Sequence, residues 1–252
     1  MKNLRLLLII LMIITGVFGI SGCGSNDEGK GNPSGNDFTV ETVEIQEEEE
    51  FLTINVKMPK LGGFPGADIL NDEISTKMDA ALAEVKDAAS MLADDDRDIG
   101  AFLNSSYGYF NNGDIVSLWI YSDNYTGGAH GMYWIDSYTF NTSTGEVYSF
   151  RDLFIEDSGG VEFVENKILQ AIEDPAEGYF EGAGETVKSY AGDFNYIIDG
   201  NTIIVYFPLY DISPYVAGIE EFPFDLDSLR EYLKPEIINA MEGQEPADNP
   251  YL

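Results

Sequence analysis

Alternation of apolar and polar positions is the first signal along the chain. From Phe51 to Met58, Leu52, Ile54, Val56 and Met58 fall on one face and Thr53, Asn55 and Lys57 on the other, the period-two pattern of a strand buried on one side. Phe38 to Ile45 predicts a weaker strand, and the acidic run Glu47 to Glu50 a solvated turn between the two. Past the Pro59 to Gly66 breaker the spacing changes. Leu70, Ile74, Met78, Leu82, Val85, Ala89 and Leu92 recur every three or four residues behind a capping Asp68, which predicts a helix packed by one stripe. Met78 and Met91 read as core filling.

After Ala101 strands dominate. Ala101 to Phe110 and Ile115 to Tyr121 flank Asn111-Asn112-Gly113, whose Asn-Gly supplies the positive φ of a tight hairpin turn. Met132 to Phe140 and Glu146 to Phe150 form another strand pair. Val161, Val164, Ile168 and Ile172 restore helical spacing, Asp199-Gly200 turns a hairpin between Phe194 to Ile198 and Thr202 to Phe207, and Leu226 to Leu233 predicts a closing helix. Glu242 to Leu252 reads as a frayed tail. Strands and helices in irregular order, with adjacent hairpins, predict an α+β fold: antiparallel β-sheets with packed helices in two subdomains, rather than a doubly wound parallel sheet.

Composition changes the picture in two ways. Hydrophobic residues at 44% and aromatics at 13% support a packed core despite 13 Lys and Arg against 45 Asp and Glu, a formal charge of −32. That charge excludes nucleic acid as a partner, since phosphate polymers are held by Lys and Arg. The single Cys excludes a disulfide framework and a cysteine-built zinc site.

The chain begins with Lys2 and Arg5, then the apolar run Leu6 to Ile14 and the small residues around Gly16 and Gly19, the order of an export signal. Counted as far as Ile20 the apolar stretch falls short of the ~20 residues that span a bilayer core. Ile20-Ser21-Gly22-Cys23 resembles a bacterial lipobox, which implies removal of residues 1–22, lipidation of Cys23 and attachment, through the lipid anchor only, to the outer face of the cytoplasmic membrane. Each buried CH2 contributes ~0.8 kcal/mol, so several acyl chains anchor stably where one is marginal. Loss of Lys2 and Arg5 would bring the charge to −34. Residues 23–37, with no apolar side chain from Gly24 to Asp37, read as a flexible tether of ~20 Å by random-coil scaling.

Tyr125-Thr126-Gly127-Gly128-Ala129-His130-Gly131, then Tyr138-Thr139-Phe140-Asn141, Thr144-Gly145-Glu146 and Phe150-Arg151-Asp152-Leu153-Phe154, resemble the extracellular part of RsiV-type anti-sigma factors. Val205-Tyr206-Phe207 and Tyr210-Asp211-Ile212-Ser213-Pro214-Tyr215-Val216-Ala217-Gly218 are similar to a second signature of the same domain. Ile54 to Ile74, with Met58-Pro59-Lys60 and Asn71, is similar to the smaller domain that precedes it there and in PdaC-type peptidoglycan deacetylases. The resemblance implies an N-terminal α+β domain over 38–115, a C-terminal α+β domain over 116–240 and a tail over 241–252. It also implies a non-catalytic, extracytoplasmic domain pair, which in RsiV binds lysozyme and so triggers release of a sigma factor. The sequence shows no sigma-binding region, transmembrane helix or deacetylase domain, which narrows the expectation to recognition.

Candidate chemistry is sparse. His130 is the only His; it either hydrogen-bonds the backbone as a loop residue or contacts a ligand. Gly127, Gly128 and Gly131 either cradle a ligand or meet positive φ and close backbone approach. Their spacing does not fit a dinucleotide or phosphate loop, and no hydrolase elbow or zinc-protease helix exists, so no cofactor, metal or catalytic residue is expected. Asp94, Asp96 and Asp98 alternate as in a calcium loop, but the glycine comes one residue late at Gly100 and the twelfth position is Ser105, so a solvated loop is expected. Trp119 and Tyr121 read as sheet filling. Tyr125, Thr126, Gly127, Gly128, His130, Gly131 and Tyr133 are the ligand-binding candidates. The expected partner is lysozyme or another cationic protein or peptide drawn to the acidic surface; the alternative is peptidoglycan, with Tyr125 as a sugar platform.

Overall fold

The computed structural model describes residues 38–93, 99–173 and 178–246. Cys23, the tether, Asp94 to Asp98 and residues 247–252 lie outside the described residues. The first half builds a six-stranded sheet in chain order: β1 (Thr39–Glu49), β2 (Leu52–Gly62), β3 (Ala101–Asn112), β4 (Ile115–Tyr125), β5 (Met132–Asn141) and β6 (Val147–Tyr148). The acidic run that reads as a turn is mostly strand. Glu47, Glu48 and Glu49 pair with Ile54, Thr53 and Leu52, because β1 is the sheet edge and its glutamates reach water from there.

All neighbours are antiparallel except β2 and β3, which run parallel. A parallel pair needs a crossover of a dozen or more residues, and helix α1 (Ala67–Leu92) supplies it. Its stripe Leu70, Ile74, Met78, Ala81, Val85, Ala88, Ala89 and Leu92 is buried against Leu52, Ile54, Val56, Leu103, Val116, Leu118 and Ile120. Each such large apolar side chain contributes about 1.5–3 kcal/mol relative to exposure. Two expectations fail locally. Gly66, not Asp68, holds the cap position, and Asp68 sits in the first turn; Met91 is 74% exposed, off the stripe, while Met78 is buried.

Every residue of β4 from Ile115 to Ile120 is buried, because both sheet faces are covered there. The boundary drawn at 115/116 thus falls at the first residue of β4, and the sheet runs on to Tyr148. Its other face meets a second unit: α2 (Gly160–Ile172), α3 (Ala183–Ser189), a three-stranded antiparallel sheet of β7 (Asn195–Asp199), β8 (Thr202–Phe207) and β9 (Glu220–Asp225), then α4 (Leu226–Leu229) and α5 (Pro235–Met241). The closing helix is shorter than its periodicity predicts, and α3, β9 and α5 are additions to the predicted elements. The described part of the tail is docked, since a side chain at Gly200 would collide with the Glu245 backbone.

The joint between the units is specific. Trp119 packs with Ile197 and Tyr206, and it can lie across β3 because the facing residue is Gly108, where a Cβ would stand 2.7 Å from the indole. Ile198 N–H donates to Ser117 Oγ at 2.8 Å, and Tyr206 OH donates to the Ile135 carbonyl at 3.2 Å. Asn112 Nδ2 donates to the Ala240 carbonyl at 2.8 Å.

Candidate functional site

The Tyr125–Gly131 loop joins β4 to β5 at the end of the sheet left uncovered beyond Trp119. Gly127 and Gly128 turn it with φ of 103° and 102°, and a side chain at Gly131 would collide with the Asn124 carbonyl oxygen. These glycines therefore have backbone work to do, which needs no ligand. Tyr125 stacks on Phe102 at 6.2 Å and donates its hydroxyl to the Gly128 carbonyl at 3.0 Å. Thr126 is half-buried beside it.

His130 is exposed on the loop yet fully engaged. The Gly131 carbonyl can only accept, so Nδ1 donates to it at 2.9 Å. Nε2 and the Tyr210 hydroxyl are hydrogen-bonded at 3.0 Å. The imidazole stacks on Tyr215, with centroids 3.8 Å apart and planes 23° from parallel. Tyr210 and Tyr215 belong to the second unit, and they bring the two sequence signatures together. Tyr215 follows Pro214 in a single 3-10 turn, Tyr215–Ala217. Tyr210 has a φ of 68°, a left-handed conformation costing about 1–3 kcal/mol in a bulky residue. Tyr190 OH donates to Asp211 beside it.

Tyr133 continues the row. Its ring lies 5.9 Å from Tyr215 and 6.0 Å from Tyr121. Burial, then the neighbouring Tyr215, raises the Tyr133 phenol above the ordinary tyrosine range. Burial, followed by the charge of Asp123 and the rings of Tyr133 and Tyr215, does so for Tyr121. Tyr210 at 46%, Val216 at 92% and Met132 at 40% exposure present apolar surface around the row, as interface anchors do. Periodicity assigns Tyr121 to sheet filling and says nothing of Tyr210 or Tyr215. Their only sequence signal is the resemblance itself, since His130 and Tyr210 are 80 positions apart.

An open groove of about 460 Å³ lies by the start of α2 and is lined by Arg151, Asp152, Glu156, Glu162 and Lys234; it contains none of the candidate residues. Among the described residues no group of three His, Cys, Asp or Glu side chains is arranged to hold a metal ion, and no helix is long and apolar enough to cross a membrane.

The chain folds as an α+β pair of units that meet in part through an aromatic surface row. The sequence model of the family described as Deacetylase PdaC matches residues 45–133, and that of the family described as Protein of unknown function (DUF3298) matches residues 151–227. The chain thus carries a PdaC domain and a DUF3298 domain in tandem, consistent with the RsiV-like pair expected from its motifs. No curated protein matches it. A crystal structure of a DUF3298-family member from Bacteroides fragilis is similar over 82% of this chain and 98% of its own, with 19% identity and a TM-score of 0.54, which shows the same fold. A DUF3298-family protein from Pseudomonas aeruginosa is similar over 80% of this chain and 96% of its own, with 14% identity and a TM-score of 0.47.

Proposed function

We propose that this chain is a lipid-anchored, non-catalytic receptor at the outer face of the cytoplasmic membrane, which captures a cationic protein such as lysozyme. The observation that carries the reading is the joining of His130, Tyr210 and Tyr215 into one partly exposed aromatic surface on a chain of formal charge −32. Rings anchor an interface, while opposite potentials raise the rate of encounter and weaken with salt. Titrating the detergent-solubilised protein with a c-type lysozyme at low and moderate salt tests it. Binding that weakens with salt is expected; no binding at either salt sinks the reading.

A second reading, peptidoglycan binding, draws on the Phe102 and Tyr125 stack at the open sheet face. Its mark would be pull-down on peptidoglycan that survives moderate salt, because stacking on sugars does not depend on net charge. Release of sugar or acetate in that assay would make the protein an enzyme.

A further inference from the structure

The sheet face turned away from α1 is covered around Ser117, Trp119 and Ser137 but open towards the ends of β4 and β5. Across the open part the register aligns Gln46, Asn55, Asn104, Asp123 and Tyr133 in one row over five strands. Asn55 Nδ2 donates to Asn104 Oδ1 at 3.5 Å, and Asn104 Nδ2 to Asp123 Oδ2 at 3.1 Å. The Asn104 amide thus gives the Asp123 carboxylate one direct hydrogen bond. Tyr121 and Tyr133 lie on the same face beside Asp123, and Tyr215 meets Tyr133 from the second unit. All four side chains are half-buried, and the only basic residue in the neighbouring rows is Lys57, against Glu44 and Glu48.

We propose that Tyr121, Tyr133, Tyr215 and Asp123 form a receptor box for one arginine or lysine side chain of a basic protein partner. The inference rests on the receptor reading and deepens it by naming the captured group. A cation within about 6 Å of a tyrosine face gains about 0.5–1 kcal/mol when exposed and about 2 when desolvated, and the carboxylate adds a charge-assisted hydrogen bond. None of the ion pairs among the described residues involves Asp123. The negative potential favours a cation here over a neutral ligand.

The test uses the full, detergent-solubilised chain with two probes, a c-type lysozyme and tetraarginine, with tetracitrulline as the uncharged isostere. Wild type should shift its tyrosine ring NMR signals with tetraarginine and not with tetracitrulline. Asp123→Asn and Tyr133→Leu, checked for unchanged thermal midpoints, should each weaken lysozyme binding about tenfold, the equivalent of ~1.4 kcal/mol. Equal responses to tetraarginine and tetracitrulline overturn the box, and that comparison needs no variant to fold. Tighter binding of a glucosamine tetramer than of tetraarginine also overturns it, in favour of a glycan amine. Lysozyme binding indifferent to both substitutions removes the box and keeps the receptor. Absence of lysozyme binding alongside a selective tetraarginine response removes lysozyme and keeps the box.

Discussion

His130 and Tyr215 stack at 3.8 Å although one belongs to the loop of the first sheet and the other to the second unit. The contact adds to a joint already made by Trp119 and Tyr206, so its removal should affect recognition more than folding. His130→Ala is expected to cost about 0.5–1.5 kcal/mol for the ring pair in urea unfolding, while lowering lysozyme affinity at least as much. A variant that binds normally would place the partner elsewhere.

Gly108 is a sharper probe of the joint. With a Cβ 2.7 Å from the Trp119 ring, Gly108→Ala forces the indole off the sheet and should destabilise by about 1–3 kcal/mol. Trp119→Ala should cost about 3–5 kcal/mol. Combined, the two should cost less than their sum, because alanine at 108 has nothing to strike once the indole is gone. Chemical denaturation of the four proteins checks this.

Stability should fall as the pH rises above about 10. Burial raises the Tyr138 phenol to about 12, against the lowering effect of Lys77, and burial also raises Tyr190, Tyr196 and Tyr206. Between the ordinary tyrosine value of about 10 and these raised values, the unfolded chain loses protons that the folded one keeps, so stability falls as pH rises. Lys77 acts in the same direction. Burial opposes its charge, but Tyr138 and Asp136 outweigh that and hold its proton above the usual lysine range. A phenolate absorbance titration should show a fraction of the tyrosines ionising only with the loss of secondary structure.

Anchoring has a simple assay. Cys23→Ser should move the protein from the membrane fraction to the medium or the soluble envelope fraction. Retention in the membrane fraction after that change would remove the lipid anchor from the proposal.

Local pattern carried much of the fold. Alternation located β2, three-to-four spacing located α1 and α2, and Asn112-Gly113 and Asp199-Gly200 marked the two strongest hairpins and with them β4 and β8. Periodicity carries no direction, so the parallel pairing of β2 with β3 was hidden; short elements such as α3 and α5 offer too few turns to show a period. The site was half legible. Tyr125 to Gly131 stood out as a contiguous string, but the partners of His130 come from the second unit, 80 or more positions along the chain. Asp123 carries no mark in sequence; it acquires its setting from the strand register that places Asn104 beside it.

The exposed margin of the first sheet is an eleven-residue strand bearing Glu41, Glu44, Glu48 and Glu49, with Glu47 ion-paired to Lys86. A neighbouring copy approaching to zip onto it would meet the same row of carboxylates, and at physiological ionic strength repulsion still reaches about 8 Å. Molecules crowded on one surface are therefore kept apart along this side, which favours separate heads over chains of self-associated ones. Concentrated salt removes that protection and should be where clumping first sets in.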